Sequence, residues 1–128
     1  MQYQVKNFMY SQNMYVYEDT SLQNTEDAMK ANNVNKICVL DSFDEISGII
    51  FQKDIDFIKK RHPSLINSFK AKDLISPYNA PINVYPQNNI GEVLNTMKKL
   101  NLECLPVCKS PDKKQLIGFI NAHIHFPT

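Results

Sequence analysis

Alternating and helical spacings of apolar residues follow one another along this chain, and the series runs twice in the same order. Val5 to Met9 predicts a short turn of helix or a linker leading into Asn13. Met14-Tyr15-Val16-Tyr17 is rich in β-formers and predicts a short strand. Thr20 with Gln23 has the form of a capping box, so a helix is expected from about Ser21. Leu22, Thr25, Ala28 and Met29 mark its apolar face, and Asn32-Asn33 its end. Lys36 to Leu40 and Ile46 to Phe51 predict a hairpin turning at Asp41 to Asp44. Lys53 to His62 returns to helical spacing, and Lys59-Lys60-Arg61-His62 places positive charge where the helix dipole favours it. Pro63 stops this helix, and Ser64 to Phe69 predicts a further turn or two.

The second series answers the first. Ala71 to Ile75 matches Val5 to Met9, and Ile82 to Tyr85 predicts the short strand. Asn88 or Asn89 caps a helix whose stripe is Ile90, Val93, Leu94, Met97 and Leu100. Leu105 to Cys108 and Leu116 to Ile120 predict the hairpin, with Lys109 to Lys114 as its turn. A shift of 68 positions lays Val16 on Val84, Tyr17 on Tyr85, Met29 on Met97, Lys30 on Lys98, Asn33 on Asn101 and Val39 on Val107. The register holds without a gap from Val16 to Leu40; two residues are then inserted, and Gly48-Ile49-Ile50 meets Gly118-Phe119-Ile120. The chain is a tandem duplication of a unit of about 60 residues. The copies divide at 1–69 and 70–128. After Asn121 they diverge, because the second lacks the pattern of Lys53 to His62.

Composition narrows the function classes. With 128 residues, 43% hydrophobic and 21% charged, the chain is an ordinary globular sequence. A unit of about 60 residues buries too little surface to be secure alone, so two should share one module. The net charge of +1 supplies no general field for nucleic acid or anionic lipid. No apolar run approaches a bilayer span, and Met1-Gln2-Tyr3-Gln4 lacks the features of a signal peptide. Three cysteines, an odd number, point to reduced thiols and a cytoplasmic setting.

The unit order strand, helix, strand, strand, helix gives an α+β architecture. The string Val84-Tyr85-Pro86, the Ile90 to Leu102 helix, Leu105-Pro106-Val107 and Leu116-Ile117-Gly118-Phe119-Ile120 resembles the cystathionine-β-synthase (CBS) domain, which usually occurs as a tandem pair. The resemblance covers almost the whole chain. It implies two βαββα repeats packed about a pseudo-twofold axis, with two clefts between them. It further implies a regulatory module that binds adenine nucleotides or adenosyl ligands (AMP, ADP, ATP or S-adenosylmethionine), requires no cofactor, catalyses nothing and forms a homodimer. A separate regulated protein would be its other partner.

The family's ligand signature is a glycine, two hydrophobic residues, Ser or Thr, two more residues and then Asp. The hydroxyl and the carboxylate hold the ribose diol, a task that suits a carboxylate because it accepts two hydrogen bonds. The first copy reads Gly48-Ile49-Ile50-Phe51-Gln52-Lys53-Asp54: the carboxylate is present, Phe51 stands for the hydroxyl, and Lys53 sits where a base often faces phosphate. The second reads Gly118-Phe119-Ile120-Asn121-Ala122-His123-Ile124: Asn121 can still hydrogen-bond, but Ile124 replaces the Asp. Pro106 and Val107 would line the adenine slot, and Val16, Val39, Ile82 and His123 complete the implied ligand-facing set.

Each of these residues has a structural alternative. Asp54 is also a good first-turn acid or cap. Lys53 fits a solvated lysine, and Phe51 fits either a purine stack or the core. Cys104, Cys108, His123 and His125 invite a zinc reading, but on a strand the two cysteines are roughly 13 Å apart, too far for one tetrahedral zinc. No nucleophile–base pair for catalysis stands out. The run Lys59 to His62 lacks the interleaved aromatics of a nucleic-acid surface. Tyr3, Tyr10, Tyr15, Tyr17, Tyr78 and Tyr85 cluster at the strand entries and suit an interface or a cleft wall. The degraded signatures keep a second function open: a nucleotide-free dimerisation module.

Overall fold

The computed structural model describes residues 3–11, 14–77 and 82–123, which fall into two compact units. Residues 14–77 form the first unit; residues 3–11 with 82–123 form the second.

The first unit runs β1 (Tyr15–Tyr17), α1 (Leu22–Ala31), β2 (Lys36–Leu40), β3 (Ile46–Phe51), α2 (Gln52–Arg61) and, after a 3-10 turn at Pro63–Leu65, α3 (Ala71–Leu74). Its sheet has the order β1-β2-β3, with β1 parallel and β3 antiparallel to β2. A parallel pair needs a crossover, and α1 supplies it. Ser21, not Thr20, is the N-cap: its Oγ accepts from the Asn24 N–H at 3.1 Å. Thr20 Oγ1 instead accepts from the Tyr17 N–H and ends β1. At the far end of α1 the Asn33 N–H donates to Lys30 O and the Val34 N–H to Met29 O, the paired bonds of a Schellman ending. This ending needs a left-handed residue after the cap, and Asn33 takes it at φ 53°. Val16, Met29, Ile37, Val39, Ile50, Ile55 and Ala71 form the core.

The second unit contains α4 (Ile90–Lys99), β4 (Cys104–Ser110) and β5 (Lys113–Asn121). Asn89 caps α4 through the Glu92 N–H. The same ending recurs, with Asn101 N–H to Lys98 O, Leu102 N–H to Met97 O, and Asn101 at φ 57°. The core is Val5, Val84, Ile90, Val93, Met97, Leu105, Val107 and Ile120.

Two sequence expectations change here. Ile82 to Tyr85 is not a strand; one rung survives, from the Cys108 N–H to Val84 O. In the first unit the Glu18 N–H adds a further rung to Leu40 O, but the matching residue is Pro86, which has no N–H. The hairpin strands are also longer than expected, so Pro111 and Asp112 alone separate them. Lys109 and Lys114 lie within strands.

The lead-ins exchange partners. Val5 and Lys6 donate their N–H groups to Asn88 O and Pro86 O of the second copy, while Ala71 and Lys72 make the matching bonds to Thr20 O and Glu18 O of the first. Tyr10 then pairs with Phe119 and Ser76 with Ile49, adding a bridge to each hairpin. The bridging strand passes directly over the repeated glycine. A Cβ on Gly48 would lie 2.7 Å from Ser76 O, and one on Gly118 would lie 3.2 Å from Tyr10 O. The boundaries 1–69 and 70–128 separate the copies along the sequence, whereas each spatial unit takes its lead-in from in front of the other copy.

Candidate ligand site

Helix α2 starts without a break from β3, and Phe51 is its N-cap. Phenylalanine has no acceptor, so the side chain caps none of the free N–H groups at this end. Asp54 lies in the first turn and is half-buried, and it makes no side-chain hydrogen bond or ion pair with a described residue. The capping role that competes with ligand binding is therefore not exercised. Phe51 stays outside the buried core cluster and keeps a partly exposed ring. The Lys53 Nζ sits 5.3 Å from the centre of that ring. Together these residues present an uncommitted carboxylate, an ammonium and an aromatic face at the positive end of a helix.

Glu26, on α1, anchors α2 and was not singled out from the sequence. It is 3% exposed. Its Oε1 accepts from Lys59 Nζ at 2.7 Å and its Oε2 from Gln52 Nε2 at 2.7 Å, with Lys30 Nζ at 3.6 Å. The Lys59 bond holds its carboxyl below the usual range, outweighing burial, and Gln52 adds to the effect. The Gln52 N–H is also fixed, by Asn35 O at 2.8 Å. The available signal was an acid in the apolar stripe, four residues after Leu22 and three before Met29.

The remaining first-copy positions are plainer. Val16 and Val39 are register partners across β1 and β2, and both side chains are buried in the core. The basic run is partly committed, Lys59 to Glu26 and Arg61 over the Phe57 ring at 5.8 Å.

In the second copy Asn121 closes β5 opposite Cys104. Its Oδ1 accepts from the His123 N–H at 2.8 Å. Beside it, the Tyr10 hydroxyl lies 3.5 Å from Cys104 Sγ, and burial, chiefly, pushes its pKa up to about 12. Asn121 is thus engaged within its own unit. His123 is exposed, Ile82 packs half-buried against the core, and Pro106 is buried opposite Phe119. Ile124, His125 and Tyr78 lie outside the described residues. Among the described residues no three of His, Cys, Asp and Glu are grouped to hold a metal ion, and no helix is long and apolar enough to cross a membrane.

The sequence profile of the CBS domain matches residues 5–58 and again residues 71–123. The chain belongs to the CBS domain family. It carries that domain twice, as a tandem pair with the α+β fold of the family. The CBS domain pair of protein MJ0100, solved in complex with 5′-methylthioadenosine and S-adenosyl-L-methionine, is similar over 95% of this chain and 91% of its own, with a TM-score of 0.67 and 17% identity. CBSX2, solved in complex with AMP, is similar over 93% and 90%, with a TM-score of 0.67 and 23% identity. A putative acetoin utilization protein (AcuB) from Vibrio cholerae is similar over 94% and 85%, with a TM-score of 0.73 and 21% identity. At these identities the likeness establishes the fold. No curated protein matches the chain.

Proposed function

We propose that this tandem CBS pair is a cytoplasmic regulatory module that binds an adenosine-type ligand, AMP, ADP, ATP or S-adenosylmethionine, through its first copy. One observation carries the proposal: Asp54 is a half-buried carboxylate without a partner among the described residues, beside Lys53 at the start of α2. The ribose diol would occupy its free lone pairs, and Lys53 would face any phosphate. The adenosyl ligands of MJ0100 and CBSX2 support the ligand class. The role is binding rather than catalysis, in a homodimer acting on a separate protein partner. Regulation is a population shift, limited by the ligand's differential affinity for two states.

A second reading is a nucleotide-free dimerisation module. Phe51 and Ile124 at two signature positions favour it, as does the internal engagement of Asn121. Thermal unfolding with millimolar AMP, ADP, ATP or S-adenosylmethionine separates the two. A ligand at about 100 times its Kd stabilises by about 2.7 kcal/mol, a shift of several degrees. The sensor reading expects such a shift with at least one ligand and its loss in Asp54→Ala. No shift with any of them leaves the dimerisation module.

A further inference from the structure

We propose that Glu26 is a positioning residue for the ligand site, an inference that rests on Asp54 being the ribose contact. One carboxylate grips α2 at two points, Gln52 and Lys59, each at 2.7 Å. These residues are seven apart, about two helical turns, so they share one face. A single contact would let the helix roll about its axis; two on one face fix both its rotation and its slide. Asp54 lies about 200° around the helix from Gln52, so clamping that face to α1 directs Asp54 away from α1.

Packing alone does not account for a carboxylate here. The matching residue of the second copy is Leu94, which packs against its own core. The second copy lacks the pattern of Lys53 to His62, so the acid goes with the helix it grips. Lys59 is partly exposed, so its ammonium can return to water when Glu26 is replaced by Leu. The copy with Leu94 is also the copy whose signature carboxylate is replaced by Ile124. The buried acid accompanies the site that keeps its Asp.

The test compares wild type, Glu26→Leu, Asp54→Asn and the double variant, with Glu26→Gln as a milder replacement should Glu26→Leu fail to fold. Titration with AMP, ATP and S-adenosylmethionine should show Glu26→Leu folded but binding at least tenfold more weakly. In the Asp54→Asn background the same change should add almost nothing, because both act through one contact. Unchanged affinity in Glu26→Leu, or losses that add in full, would overturn the inference. If wild type binds none of the probes, the ligand reading fails, and amide exchange decides the inference alone. Exchange at Gln52, bonded to Asn35 O, should then quicken at least tenfold in Glu26→Leu while β2 is unaffected; equal exchange at Gln52 would overturn the clamp.

Discussion

The two copies agree where backbone geometry is demanding and differ where ligand chemistry would be done. Met29, Lys30 and Asn33 recur as Met97, Lys98 and Asn101, and all six lie in the two Schellman helix endings. Ser21 and Asn89 differ in identity but both cap a helix, as an oxygen acceptor must. Thr20 and Asn88 likewise accept the N–H of Tyr17 and Tyr85. By contrast Glu26 corresponds in the repeat alignment to Leu94, and Asp54 to Ile124. In the first copy a buried acid holds a helix whose Asp54 has no partner among the described residues; in the second Asn121 is engaged inside its own unit. The scaffold is present twice, and the constellation proposed to bind a ligand once.

Core truncation should break both units alike. Ile50 and Ile120 occupy matching positions and are both fully buried. Replacing either with Ala should lower stability by about 2–5 kcal/mol in urea unfolding. A large loss at one and almost none at the other would break the equivalence of the cores. The glycines should separate the units instead. Gly48→Ala drives a Cβ to 2.7 Å from a backbone oxygen and should destabilise by about 1–3 kcal/mol. Gly118→Ala starts from 3.2 Å, with the flexible Met9 side chain as its next neighbour, and should lose less than about 1 kcal/mol in the same assay.

Ligand binding should divide the copies more sharply than stability does. Asp54→Asn should weaken a bound adenosine ligand at least tenfold, about 1.4 kcal/mol, while Asn121→Ala leaves calorimetric affinity unchanged. The smallest effect is the pH dependence of the Glu26 clamp. Its folded pKa lies below its ordinary value of 4.5. The contribution is therefore complete above the unfolded pKa and is lost as pH falls through the folded one. The stability gap between wild type and Glu26→Gln should be constant near neutrality and close below about pH 4.5. A gap that widens on acidification would contradict the pairing.

Most of the fold was legible because apolar spacing and turn residues are local signals. Lys36 to Leu40 and Ile46 to Phe51 appear with the expected bounds. The losses came from what spacing does not encode. Pro86 removes a rung from an otherwise β-like run, and the pairing of Ser110 with Lys113 across a tight turn carries the strands through Lys109 and Lys114. The exchange of lead-ins is a non-local choice that a repeat alignment does not express. At the candidate site, Asp54, Lys53 and Phe51 were singled out through the glycine signature, but the Glu26 anchor was not. An acid in an apolar stripe reads as a flaw until Lys59, 33 residues away, is seen to meet it.

The most direct measurement is the stoichiometry of binding by isothermal titration, with AMP and S-adenosylmethionine injected into the wild-type protein. One ligand per chain, weakened at least tenfold by Asp54→Asn, is the result expected if only the first copy kept its site. Two per chain would give the second copy a working site despite Asn121 and Ile124, and none would leave both copies as scaffold; either result contradicts the account.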